Sequence, residues 1–225
     1  MKKTNFIILL ILLVPLLFQS CSSPLRGFFS SVRVIVDDDY SQLFSNPDYD
    51  QKVYVPGIEV ITQQVSCGYA VLQMLGQWQN MNLTENMLYE MNNHSVTTAL
   101  GSGFVEEINR QFPQWNVTRF VRCTNTDLLE KVYDSLKRGF PVPFEWAAKN
   151  TEGNWTLHFS LVVGLDFKNN IVQIANPYGY MEEFSIQDFI KATRFESYEN
   201  MEWYFEEGFN FGLFNQNTVY VIEGK

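Results

Sequence analysis

Three residues of this chain carry chemistry of one kind. Cys67 follows Gln63, Gln64 and Ser66 and opens the segment SCGYAVLQMLGQW. His158 begins an apolar run, HFSLVVG, and Asn176 closes the next one, IVQIANPYG. A thiolate can attack an acyl carbon, an imidazole can take up and return the proton, and a carboxamide can hold that imidazole in one tautomer. The thiolate is the demanding part, because a free cysteine with a pKa of ~8.5 is mostly protonated at neutral pH. A helix start sets unpaired N–H groups and partial positive charge beside the sulfur, which favours the anion. Gly68, just after Cys67, lets the backbone and a substrate approach closely. On this reading Cys67 has the lower pKa and the greater reactivity of the two cysteines at 67 and 123.

Taken singly, each of the three has a plainer role. Cys67 shares a helical stripe with Val71 and Met74 and fits as a packing residue, His158 as a structural strand histidine, and Asn176 as a turn residue before Pro177. Their spacing argues for more. A hairpin turning about Lys168 in DFKNN sets Asn176 opposite Ser160 and therefore diagonal to His158, on the same face of the sheet. Diagonal neighbours lie about 7–8 Å apart, within reach of a side-chain hydrogen bond. His94, the other of the two histidines, sits in the polar run MNNHS and reads as a surface turn.

The elements that must position these residues follow from periodicity and punctuation. Ala70, Val71, Met74, Leu75 and Trp78 form one stripe of a helix over 67–78. Shorter helices are expected at 85–92 and 103–112, the second capped by Ser102 and stopped by Pro113. After a strand at 117–123, TNTDLLEKVYDSLKRG offers cap residues, a Leu129/Val132/Tyr133/Leu136 stripe, a basic last turn and Gly139 as terminator. Strands are expected at about 141–147, 157–165, 171–176 and 217–222, and a short helix from Ser185 to about Thr193. The run VRVIV reads as a short β-like stretch, and 200–214 is aromatic and ambiguous. Helices first and an antiparallel sheet later is an α+β layout.

Composition bounds the rest. A chain of 225 residues, 46% hydrophobic, can bury one sizeable core. Lys2 and Lys3 precede an uncharged run from Phe6 to Phe18, followed by Gln19, Ser20 and Cys21. That is the pattern of a secretory signal, too short to span a membrane. The division expected is a signal over 1–20, a tether and irregular lead-in over 21–55, and one domain over 56–225. Removing 1–20 takes two lysines and no acid, so the net charge of −9 becomes −11. Such acidity repels phosphate backbones, and nucleic acid is not an expected partner. Cys123 ends the β-like stretch NVTRFVRC and reads as a small packing hydrophobe rather than a disulfide partner of Cys67. Two histidines and two remaining cysteines show no metal-ligand spacing, so no metal or cofactor is implied.

Two resemblances sharpen this. The small residue before Cys21 is similar to a bacterial lipoprotein signal, which implies that Cys21 becomes a lipidated N-terminus anchored in the cell envelope, facing outside the cytoplasm. CGYA at a helix start, the Gly-Phe-Pro-Val strand entry, HFSLVVG and the short hairpin to ANPYG resemble the papain-like cysteine peptidases, closest to the bacteriocin-processing, double-glycine leader branch. The likeness covers about 56–190. It implies an α+β papain-like fold, with a helical N-terminal part whose nucleophile helix packs on an antiparallel sheet. It also implies Cys67 as nucleophile, His158 as base and acid, and Asn176 as the orienting third member where many relatives have Asp. A glutamine upstream of the cysteine serves such enzymes as an oxyanion donor, usually five or six residues before it. Here Gln63 is four before and Gln64 three, and Gln63 is the nearer to that spacing. The expectation is a hydrolase acting on a peptide or isopeptide amide of a peptide or protein substrate. The alternatives are acyl transfer by the same chemistry and a catalytically silent peptide-binding module of the same fold.

Overall fold

The computed structural model describes residues 38–96, 101–149, 153, 155–195 and 215–225. The signal segment, Cys21, the VRVIV run and the aromatic 200–214 stretch lie outside the described residues. Among the described residues, five α-helices flank one antiparallel sheet. The helices are α1 (Cys67–Trp78), α2 (Glu85–Met91), α3 (Gly101–Gln111), α4 (Asn125–Lys137) and α5 (Ile186–Thr193). The strands are β1 (Val53–Tyr54), β2 (Trp115–Phe120), β3 (Val142–Lys149), β4 (Trp155–Asp166), β5 (Ile171–Asn176), β6 (Tyr180–Phe184) and β7 (Thr218–Gly224). Their order is β2-β7-β3-β4-β5-β6, with β1 pairing on β4. The papain-like α+β fold read from the sequence is the fold observed.

Local chemistry accounts for most element ends. Ser66, Thr84, Thr124 and Ser185 each accept a backbone N–H three residues on, capping α1, α2, α4 and α5. Gly139 follows α4 at φ +85°, a left-handed position that a side chain would strain. Ser102 departs from expectation: α3 already includes Gly101, so Ser102 lies within the helix rather than before it. Strand β6 was not anticipated. Its sequence, YMEEF, lacks the apolar alternation of a strand because it lies at the sheet's edge, paired with β5 alone among the described residues.

Two cores lie on opposite faces of the sheet. On one, α1 packs with Phe104, Phe112 and Trp115 over Phe159, Leu161, Ala175 and Tyr220. On the other, α4 and α5 pack over Val142, Phe144, Trp146, Val162, Val172 and Ile174. Side chains of this size each stabilise the fold by about 1.5–3 kcal/mol when fully buried. The stretch before Val53, expected as an irregular lead-in, holds two short 3-10 turns, Ser41–Ser45 and Pro47–Tyr49, and is packed against the domain. Leu43 is buried in the second core, and Asp38 accepts the N–H groups of Asn125 and Thr126 at the start of α4. No helix among the described residues is long and apolar enough to cross a membrane.

Candidate active site

The hairpin β4–β5 brings His158 and Asn176 together. Leu161 pairs with Ala175 and Val162 with Ile174, a register that carries on to Ser160 opposite Asn176. Nearer the turn the register shifts, with Gly164 opposite Gln173 and Asp166 opposite Ile171. The turn is thus Phe167–Asn170, half a residue beyond Lys168, and the extra residue Val163 absorbs the offset. That residue also reverses the alternation of β4, so Leu165 and Phe167 join the same core as Val162. The imidazole Nε2 lies 3.0 Å from Asn176 Oδ1. The diagonal contact expected from the spacing is present.

The carboxamide is held on three sides. Oδ1 faces the imidazole and also accepts the N–H of Tyr178 at 3.0 Å, while Nδ2 donates to Glu182 Oε2 at 2.9 Å. The Tyr178 ring stacks on His158 with centroids 4.2 Å apart, and the Trp146 ring meets it edge-on at 5.8 Å. Trp146 is itself anchored through Nε1 to Ser160 Oγ. The result is an imidazole only 1% exposed. Burial disfavours its cation, and His158 is pulled down to about 4 against a weaker opposing effect of Asn176. It is therefore neutral at neutral pH. Beside this cluster a cavity of about 290 Å³ is lined by Trp146, Asn176, Tyr178, Glu182 and Phe184.

Cys67 occupies the first position of α1, as expected, and is partly exposed with a free thiol. Its pKa runs opposite to expectation. Burial pushes the thiol up, and the backbone N–H groups of Phe159, Gly68 and Cys67 itself only partly offset this. Phe159 is the residue next to His158, so the sulfur lies along the strand that carries the imidazole. Tyr178 is close enough for its charge and that of Cys67 to interact. Cys123, also free, is buried, and burial drives it up to about 11. Burial thus works against charge on both groups, disfavouring the thiolate and the imidazolium.

The two glutamines diverge. Gln63 donates its backbone N–H to Pro177 O at 2.7 Å, next to Asn176, and its Oε1 is buried without a partner among the described residues. Gln64 is exposed, and its N–H goes to Glu85. Glu85 was missed by sequence reasoning. Buried at the start of α2, it accepts the N–H groups of Gln64, Val65 and Ser66 at 2.8–3.0 Å. One carboxylate thus shapes the whole turn leading into α1. The signal available was only a Thr84–Glu85 helix start, which by itself reads as capping. Glu182 was missed because β6 was. His94 lies apart, exposed and paired with Glu90.

Gly179, at φ +96°, closes the turn after Asn176, where a Cβ would lie 2.2 Å from Thr62 Oγ1. Thr62 pairs with Tyr178 as an isolated bridge, so this close approach ties the pre-helix segment to the hairpin.

Among solved structures, the chain is similar to a double-glycine motif protease from an AMS/PCAT transporter, in complex with the leader peptide. That match has a TM-score of 0.45 and 12% identity, covering 78% of this chain and 99% of that one. No curated protein matches. The model of the Peptidase_C39 like family matches residues 49–204, which take in Cys67, His158 and Asn176 along with Glu85 and Glu182. With a cysteine opening one helix, a histidine on the strand beside it and the family match spanning both, the chain belongs to the Peptidase_C39 like family of cysteine peptidases.

Proposed function

We propose that this protein is a cysteine hydrolase that cleaves a peptide or isopeptide amide through Cys67, His158 and Asn176. The observation that carries the reading is the His158 Nε2–Asn176 Oδ1 bond, made on the strand whose next N–H reaches the Cys67 thiol. Since Oδ1 only accepts, Nε2 carries the ring proton and Nδ1 is left with its lone pair. A thiol pushed up by burial and an imidazole pulled down by it do not form a standing ion pair. The proton therefore passes from Sγ to His158 as the substrate carbonyl is attacked. The tetrahedral oxyanion is met by the Gln63 side-chain amide and the Cys67 N–H. His158 returns the proton to the leaving amine, the C–N bond breaks, and a thioester remains on Cys67. Water, deprotonated by the same imidazole, releases the acid.

The proposal extends to location. Cys21 carries the lipid that attaches the mature protein to the cell envelope, facing outside the cytoplasm. More than one acyl chain is needed for stable anchoring of this kind.

The test is an electrophilic peptide probe that captures activated thiols, followed by peptide mapping. Labelling at Cys67, lost in His158→Ala, is the expected result. Equal labelling of Cys67 and Cys123, or labelling indifferent to His158→Ala, overturns the hydrolase in favour of a silent peptide-binding module. Mass analysis of the mature N-terminus tests the anchor: an unmodified terminus at a residue other than Cys21 rejects it.

A further inference from the structure

We infer that Glu182 is a positioning residue of the site, acting on His158 through Asn176; this rests on the reading of the Cys67–His158–Asn176 site above. An Asn side chain can turn over, exchanging acceptor for donor with little change of shape. Here two neighbours of opposite kind decide the matter. The Tyr178 N–H can only donate and reaches Oδ1 at 3.0 Å; the Glu182 carboxylate can only accept and reaches Nδ2 at 2.9 Å. In the turned-over state an N–H would face an N–H and a carboxylate would face a carbonyl oxygen. Oδ1 is thereby committed to the imidazole, which in turn commits the ring proton to Nε2 and the free lone pair to Nδ1. Glu182 accepts from the Asn176 amide and through it selects the tautomer that can act as base.

Charge adds to orientation. When His158 takes the thiol proton it becomes a cation in a site that burial makes hostile to one. A carboxylate hydrogen-bonded to the far end of the same amide polarises Oδ1 and stabilises that cation through one intervening group. The arrangement also makes Asn, rather than Asp, the fitting residue at 176. An aspartate there would set two carboxylates at hydrogen-bond distance with no proton between them.

The first measurement needs no substrate. The full chain has two histidines, so a His94→Gln background leaves one imidazole to observe by nitrogen NMR at neutral pH. The Nε2–H form of His158 should dominate in this background and in Glu182→Gln, whose side-chain oxygen can still accept. In Glu182→Ala both tautomers should be populated. A single, unchanged tautomer in Glu182→Ala overturns the inference, whether or not the protein hydrolyses anything. The second measurement is a cycle on turnover of a cleaved peptide. Glu182→Ala should lower kcat about tenfold or more with KM little changed, the loss of one hydrogen bond to a charged group. Asn176→Asp should be poor alone and regain activity in combination with Glu182→Gln. A double variant worse than Asn176→Asp alone contradicts the inference. Complete absence of Cys67-dependent turnover with an intact tautomer response would fail the hydrolase reading and leave the positioning role standing.

Discussion

The two faces of strand β4 differ in more than their neighbours. Phe159 and Leu161 point to the layer that holds α1, where contacts are apolar and aromatic. His158 and Ser160 point the other way, into a cluster of named polar bonds: imidazole to Asn176, Asn176 to Glu182, and Trp146 Nε1 to Ser160. Cys67 belongs to the first layer and His158 to the second. The Phe159 N–H, on the residue after His158, reaches the Cys67 sulfur and links the two layers along β4. One face can be loosened by degrees, since apolar packing is lost contact by contact. The other depends on donors and acceptors in a fixed sequence, where one error leaves a buried group unpaired.

The strongest way to break this comparison is to remove the His158 imidazole. His158→Ala should lower turnover by about 10²–10⁴-fold. Phe159→Leu, one residue away on the other face, should lower stability and leave kcat within a fewfold range. Similar kcat losses in both would erase the distinction between the faces, and steady-state kinetics with a denaturation midpoint for each variant would show it.

The turn before α1 gives the next test. Gln63→Ala should cost on the order of 10²–10³ in kcat, the loss of one preorganised oxyanion donor, and Gln64→Ala should be mild. The reverse pattern would move the role to Gln64, which the structure ties to Glu85 only through its backbone N–H.

Acid should act on the polar face first. His158 is depressed to about 4 by burial, so the unfolded chain binds its proton at higher pH than the folded one. The associated stability is fully present above about pH 6.5 and is lost as pH falls towards 4, amounting to about 3 kcal/mol. Chemical denaturation at several pH values should show that slope, and His158→Gln should flatten it. An unchanged slope would mean that the imidazole is not held neutral by burial.

The smallest expected effect concerns the carboxylate under the turn. Glu85→Gln replaces one of the oxygens that accept three N–H groups with a donor, and should lower stability by about 1–3 kcal/mol. It should lower turnover as well, because Gln63 and Cys67 flank the segment it holds. Loss of stability with turnover intact would show that the turn keeps its shape without it.

Much of the site was legible in the linear order. Ser66 before Cys67 announces the helix start, because a hydroxyl is what the orphan N–H groups of a first turn require. The short DFKNN turn between two apolar runs sets the register, and a period of two then puts 158 and 176 on one face. The bulge at Val163 was invisible, yet it corrected the turn's half-residue offset and preserved the diagonal contact. Strand β6 was missed because an edge strand need not alternate, and Glu182 went unseen with it. Glu85 was missed because three acceptor bonds to a neighbouring loop leave no trace in spacing.

By itself, then, the amino-acid order determined which residues could form the site, the helix that presents Cys67 and the hairpin that pairs His158 with Asn176. These depend on caps, turns and periodicity, all of which act within a few residues. Only the tertiary structure decided how strongly burial works against charge at the site and which way its amide faces. Burial reversed the expectation for the thiol, raising it where a helix start alone would lower it. Desolvation is a property of everything packed around a group, and carboxylates such as Glu85 and Glu182 reach their partners across strands and loops that local sequence does not join.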